Sequence, residues 1–562
     1  MKKWTTSCPD WERRIVARES LVPVSPLFPD VAADAMDVFG ALRMMDADGS
    51  PTMEEACLPW VMDLVRALFG AYDPERRRRL ITNYFLMVSK KNGKSMIAAG
   101  VMLTALILNT RPGAEFLILA PTKEAADNAY KPIREMILAD DELSARFQEQ
   151  QYFKTVTCRL SRATLKVVAA DSATVTGKKA TGVFVDELHE FGKSAKAAAM
   201  LTEATGGITS RPEGFVFYCT TQSENPPAGV FKDKLAYARK VRDGQVSDPR
   251  FLPVIYEFPK KMLEEKAYED LDNAYITNPN WGISVDEDVI AQKLQEAADA
   301  GEHAVRDIRA KHLNVQVGLS MAGDRWTGAD FWERNGDKKV TLEYILQECE
   351  VVTAGVDGGG LDDLLGFSVT GRVRGSNHWL QWNKAWLHPI GLERRKSLES
   401  QYRDFEKQGD LVIIKEIPED VDQLAQLVLQ VYESGLLSQV GLDPERTHKV
   451  VKKALQDAGI PEELIIGISQ GWKLTGAISV AERALAAGDM THAAQPLMAF
   501  CVGNAKVVPA GNAVNITKQA SGTGKIDPLM AMLNSVSLMA LSPEAAGGMD
   551  DWLSDPIRTG KA

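Results

Sequence analysis

The chain is poor in the residues on which several kinds of protein depend. Cysteine occurs six times in 562 residues and histidine seven times. The cysteines (Cys8, Cys57, Cys158, Cys219, Cys349, Cys501) show no paired spacing. That excludes a disulfide framework and a cysteine–histidine zinc site, and it suits a reducing compartment. Long apolar runs are missing as well: Met96 to Leu108 is the longest and is too short to span a bilayer. The segment Met1 to Arg14 lacks the apolar core and cleavage site of a secretory signal. Neither membrane nor export is therefore expected. Positive charge is not in excess, since 65 basic residues face 76 acidic ones for a net −11. This argues mildly against a nucleic-acid partner, although a local basic patch would override it.

What remains is an ordinary globular composition, 45% hydrophobic and 25% charged, in a chain too long for one core. Residues 82–88, 115–121, 183–185 and 214–220 read as short, almost wholly apolar strands alternating with helices near 94–108 and 125–138. Such alternation predicts a mainly parallel sheet covered on both faces. We read residues 1–256 as an N-terminal segment with an α/β domain. Residues 257–348, charged and helical in pattern at 264–271 and 285–300, read as a linker or subdomain. A second α/β domain is expected over 349–542, with strands near 351–356, 367–373, 379–386 and 411–417. A small, acidic tail is expected over 543–562.

Two motifs in the first domain carry chemistry. Val88-Ser-Lys-Lys-Asn-Gly-Lys-Ser95 is a phosphate-binding loop in all but its opening glycine, whose place Val88 takes. Here Ser89, Lys90, Lys91, Asn92 and Gly93 would wrap phosphate oxygens, Lys94 would supply charge, and Ser95 would place a hydroxyl on Mg²⁺. The alternative is a surface loop capping a helix. Gly182-Val-Phe-Val185 then ends in Asp186-Glu187, so two carboxylates leave the carboxyl edge of a buried strand, where α/β sheets bind ligands. Asp186 would face Mg²⁺ and Glu187 the attacking water of ATP hydrolysis. Thr220-Thr221 ends the following strand and could sense the terminal phosphate, or could simply close a turn. Arg76-Arg77-Arg78-Arg79 could contact DNA phosphates, or be a solvated charge run.

In the second domain Asp357 ends a strand, Asp443 ends another, and Asp527 opens an apolar helix. Each alone is ordinary turn or cap chemistry. Together they follow the plan of ribonuclease H-like two-metal nucleases, and oxygen ligands without Cys or His favour Mg²⁺ or Mn²⁺.

An ATPase followed by such a nuclease resembles the large terminase subunits of tailed bacteriophages, in the branch typical of HK97-like phages. The stretches that carry the resemblance are Leu58-Pro-Trp60, the loop 88–95, Ala120-Pro-Thr-Lys123, Val185-Asp-Glu-Leu-His-Glu190, Thr220-Thr221, Asn278-Pro-Asn280, Gly355-Val-Asp357 and Lys525-Ile-Asp527. The resemblance implies a P-loop ATPase domain and a ribonuclease H-like nuclease domain. It implies ATP with Mg²⁺ at Lys94, Ser95, Asp186 and Glu187, and coupling through Thr220 and Thr221. Two Mg²⁺ or Mn²⁺ would lie at Asp357, Asp443 and Asp527, with Asp362 or Asp363 as a further carboxylate. The implied partners are double-stranded DNA, a portal protein, a small terminase subunit and four more copies in a ring on the procapsid, in the host cytoplasm. Two departures stand out: Val61 replaces the usual glutamine after Pro-Trp, and Lys90 stands where many members have arginine. A helicase-nuclease and a nucleotide-gated scaffold without nuclease activity are the competing readings.

Overall fold

The computed structural model describes residues 4–170, 180–193, 195–316, 326–444, 448–510, 513–518 and 525–545. From residue 546 on, the expected tail lies outside them. The chain divides into two compact units, Met1–Val317 and Gly318–Ala562. The 257–348 stretch, expected to stand apart, falls partly in each. Its charged surface hides buried anchors: Ile276, Thr277, Asn278 and Leu313 in the first unit, Trp326, Trp332 and Ile345 in the second. The helix expected over 264–271 ends at Glu264, because Lys266 takes a left-handed backbone and only 3₁₀ turns follow.

The first unit is built on eight strands: β1 (Asn83–Met87), β2 (Glu115–Ala120), β3 (Phe147–Gln150), β4 (Thr155–Cys158), β5 (Thr164–Ala169), β6 (Ala180–Val185), β7 (Phe215–Thr220) and β8 (Phe251–Ile255). Their order across the sheet is β8-β1-β7-β6-β2-β5-β4-β3. The six from β8 to β5 are parallel, and β4 and β3 extend the edge antiparallel. Strands β6, β7 and β8 are buried along their whole length, which is why they read as continuous apolar runs without alternation. Helix α1 (Lys94–Ile107) follows β1 and is apolar on every side; Gly100 within it faces Phe39, 2.7 Å from where a Cβ would stand. Helix α2 (Lys123–Leu138) follows β2, with Thr122 as its N-cap.

The second unit holds β9 (Cys349–Gly358), β10 (Leu364–Val373), β11 (Trp379–Leu387), β12 (Leu411–Ile413), β13 (Leu437–Leu442), β14 (Ile465–Gly467) and β15 (Met490–His492). The order is β12-β11-β10-β9-β13-β14, with β15 also on β11. Strands β9, β10 and β11 form an antiparallel meander, while β13 and β14 run parallel to β9. This is the expected ribonuclease H-like plan. Strand β12 stops at Ile413, short of the expected 417, because its partner β11 ends at the paired Leu387.

Helix α3 (Asp527–Met539) lies across β9 and β10 and is buried nearly throughout. Glycines set its approach. A Cβ on Gly355 would stand 2.1 Å from Ala531 O, and one on Gly366 would stand 2.8 Å from Pro528 Cα. Asn534 donates to Val356 O at 2.9 Å, and Thr353 donates to Ser535 O at 2.8 Å. Among the described residues, no helix is long and apolar enough to cross a membrane.

Two expectations follow from this packing. Gly355→Ala should force α3 off the sheet and destabilise the second unit by about 3 kcal/mol, read as a lower melting temperature in calorimetry of the full chain. The second concerns His492, whose ring stacks on Trp332 at 3.9 Å. Its Nε2 donates to Trp332 O at 2.7 Å and its Nδ1 accepts from Ala494 N–H at 3.2 Å, an arrangement open only to the neutral ring. Burial lowers its pKa to about 4 from the ordinary 6.5, against the pull of the Trp332 carbonyl. The unfolded chain therefore takes up a proton that the folded chain refuses. Stability from this residue is complete above pH 6.5 and falls as pH drops towards 4, by up to about 3 kcal/mol. His492→Gln should flatten that part of the melting-temperature profile.

Candidate functional site

Val88, where the motif wants glycine, extends β1: its N–H donates to Thr220 O at 3.1 Å, and its backbone is not left-handed. The missing glycine thus falls on a strand residue that needs no special freedom. The tight turn comes later, at Lys91 (φ 71°) and Gly93 (φ 79°). Lys94 is buried; its Nζ donates to Ser89 O at 3.2 Å and to Val88 O at 3.4 Å, and lies 4.0 Å from Glu187 Oε1.

The loop is clamped from residues distant in sequence. Asn92 Nδ2 donates to Asn278 Oδ1 at 2.9 Å, and Asn92 Oδ1 accepts from Asn280 N–H at 3.0 Å. Asn280 Oδ1 accepts from Trp60 Nε1 at 2.8 Å, Ser284 donates to Lys91 O at 2.7 Å, and Lys90 N–H donates to Lys311 O at 2.9 Å. The Asn278-Pro-Asn280 stretch is therefore part of the phosphate-loop site. Its sequence signal was the short Asn-Pro-Asn motif, which carries no role by itself.

Asp186 follows β6 and is buried; its Oδ1 has no hydrogen-bond partner among the described residues. Burial, with Glu187 beside it, pushes its pKa up. Burial acts on Glu187 in the same direction, but Lys94, then His189 and Lys90, outweigh it and hold that carboxyl below its usual range. Glu187 also takes a left-handed backbone (φ 50°), a strain found at functional positions. His189 is the residue the motif reading left without a role. Its Nδ1 lies 3.3 Å from Glu187 Oε2 and 3.2 Å from Thr220 Oγ1, its Nε2 lies 3.1 Å from Glu190 Oε1, and its N–H donates to Thr220 Oγ1 at 3.1 Å. Thr220 thus touches the acidic motif through His189, while Thr221 donates to Gln222 O at 3.1 Å. An orphaned, buried carboxylate oxygen at Asp186 fits a hydrated Mg²⁺, with Ser95 at the start of α1 as the hydroxyl donor.

In the second unit Asp357 and Asp443 directly follow Val356 and Leu442, which pair in register on parallel neighbours β9 and β13. Both carboxylates leave the sheet on one face, roughly a strand spacing of ~4.8 Å apart in backbone. Gly355 and Gly441 share that face and touch α3. Asp527 is the first residue of α3, its Cβ 3.1 Å from where a Cβ on Gly358 would stand. All three aspartates are buried. Among the described residues, no three His, Cys, Asp or Glu side chains are grouped so as to hold a metal ion. The backbone gathers the aspartates at one corner without closing their side chains into a ligand set. As hard oxygen donors they fit Mg²⁺ or Mn²⁺. Asp362 and Asp363 already have cations: Arg395 and Arg394 for the first, Lys525 for the second.

Comparison with known proteins finds similarity to terminase large subunits. A sequence model of the family described as "Terminase large subunit, ATPase domain" matches residues 59–240. The terminase large subunit of Lactococcus phage p2 is 21% identical over 83% of this chain and 83% of its own length. The terminase large subunit of Enterobacteria phage HK97 is 21% identical over 84% of this chain and 90% of its own. The crystal structure of the HK97 large terminase covers 90% of this chain and 99% of that one, at 18% identity and a TM-score of 0.47. Residues 59–240, which hold the phosphate loop, the Asp186-Glu187 pair and Thr220-Thr221, therefore belong to the terminase large subunit ATPase-domain family.

Proposed function

We propose that this chain is the large terminase subunit of a tailed bacteriophage, a motor that hydrolyses ATP to move double-stranded DNA into a procapsid and a nuclease that cuts concatemeric DNA. The observation that carries the reading is the presence in one chain of two carboxyl-edge sites. One is a clamped phosphate loop facing an acidic pair, and the other gathers three aspartates on a ribonuclease H-like sheet. A helicase-nuclease would need a second ATPase-like lobe, and the antiparallel meander β9-β10-β11 is not one.

In the first site the loop amides from Lys91 to Ser95 cradle the phosphates and Lys94 neutralises them, the Ser89 and Lys90 amides being bonded to Thr277 O and Lys311 O. Glu187, held ionised by Lys94, accepts the proton of the attacking water. Phosphate release alters the charge that Lys94 presents to Glu187. His189 then relays the change to Thr220, at the end of the strand lying between β1 and β6. In the second site Asp357, Asp443 and Asp527 would hold the metal ions, because carboxylates repel a phosphodiester and act on it only through bound cations. When bound, Mg²⁺ held by Ser95 and Asp186, and Mg²⁺ or Mn²⁺ held by the three aspartates, would supply positive charge beside phosphate oxygens. The partners on this reading are a portal protein, a small terminase subunit and further copies in a ring of five on the procapsid, in the host cytoplasm.

The test separates the two sites. Glu187→Gln should lower ATP turnover by about 100-fold or more while leaving plasmid cleavage in Mn²⁺ intact. Asp357→Ala should do the reverse, abolishing cleavage in both Mg²⁺ and Mn²⁺ and sparing ATP hydrolysis. Cleavage that survives Asp357→Ala would remove the nuclease assignment, and turnover that survives Glu187→Gln would remove the base.

A further inference from the structure

The first unit has a second concave site that the ATPase reading does not use. A cavity of about 630 Å³ opens at the amino-terminal edge of the parallel strands. Phe116, Thr181 and Phe215, at the starts of β2, β6 and β7, line it. Asp186 and Thr220 lie at the opposite ends of β6 and β7, about 17–20 Å away along six-residue strands. The cavity is therefore distinct from the phosphate loop.

Its chemistry is two-sided. Phe69, Tyr72, Phe116 and Phe215 give it aromatic surface, and Arg76, Arg77, Arg79 and Arg111 give it charge against Asp34 and Glu213. Two of these arginines are committed. Arg79 is buried, donates to Leu68 O and Glu213 O, and stacks its guanidinium 5.0 Å over Phe215. Arg111 pairs with Glu213. The other two are available: Arg76 is exposed and reaches only Asp73, at 3.9 Å, and Arg77 makes no ion pair or hydrogen bond among the described residues. Within the arginine run of the sequence, Arg79 is thus structural, while Arg76 and Arg77 are exposed at the cavity. A second observation points into the same cavity. Thr181 is 4% exposed, and its Oγ1 has no hydrogen-bond partner among the described residues. Leaving a hydroxyl orphaned in a core is unfavourable, and a ligand that bonds it removes that penalty.

We propose that this cavity binds a nucleoside phosphate, with its base on the aromatic surface and bonded by Thr181, and its phosphate on Arg77 and Arg76. The volume is that of a small-molecule site. A duplex would need an open basic surface, and this site is concave. Arginine offers the forked donors that phosphate oxygens take.

The experiment is equilibrium dialysis of the full chain against labelled dAMP, in the parent and in Lys94→Ala, Arg77→Glu and Thr181→Val. Saturable binding of one dAMP is expected, unchanged in Lys94→Ala and weakened at least about tenfold in Arg77→Glu. Thr181→Val, which keeps the shape and removes the hydroxyl, should weaken it several-fold. Arg77 is exposed, so its variant does not endanger the fold. Absence of saturable binding at millimolar dAMP would overturn the proposal. So would binding that Lys94→Ala abolishes and Arg77→Glu leaves intact, since that would assign the ligand to the phosphate loop.

Discussion

A carboxylate at the end of an apolar strand, held out of water, needs compensating charge, and the first unit is organised around that need. In the first unit the compensation is unequal. Lys94, His189 and Lys90 act on Glu187, whereas burial and Glu187 itself act against ionisation of Asp186. Neighbouring carboxyls pushed apart in this way acquire different roles. Glu187 is held ionised, and Asp186 is left with an oxygen that no side chain among the described residues satisfies. In the second unit, glycines at 355, 366 and 441 let α3 come close enough to bring Asp527 to the corner where β9 and β13 end.

The phosphate loop depends on partners remote in sequence because it lacks rigidity of its own. One glycine of the motif is replaced by a strand residue, so the turn is concentrated at Lys91 and Gly93. Asn92 is then held on both its amide nitrogen and its amide oxygen, by Asn278 and Asn280. Asn278 in turn donates to His312 O at 2.8 Å, and Lys311 pairs with Glu224 at 2.7 Å, just past the Thr220-Thr221 strand end. Residues Asn278 to His312, which read as part of a charged linker, are packed against the phosphate-loop motif.

Much of this was legible in the sequence, for reasons that differ by element. Strands β1, β2, β6 and β7 were readable because full burial demands unbroken apolar runs, and the motif residues were readable because phosphate chemistry narrows the choice at each position. The allocation of residues 257–348 was not. Ile276, Leu313, Trp326 and Trp332 are single anchors in a charged background, and periodicity gives no hint of which core each one joins. His189 has no role readable from the sequence, since one histidine beside two glutamates has many bland explanations until Thr220 is found against it. The convergence of Asp357, Asp443 and Asp527 needed strand register, which no spacing in the chain encodes.

Strand order gives the first unit its directional logic. If β1 and β6 were neighbours, the loop and the acidic pair would face each other directly, and no third element would register a change between them. The sheet instead inserts β7, so that Val88 bonds Thr220 O on one side while His189 bonds Thr220 Oγ1 on the other. A single residue is held by the phosphate loop through its carbonyl and by the acidic motif through its hydroxyl. Any shift of one motif relative to the other must strain or break one of those two bonds. The residues after Thr220, bound onward through Gln222 N–H to Asn314 at 3.1 Å, are where that strain leaves the site. The link between the two motifs therefore rests on the order of strands as much as on the identity of the threonine.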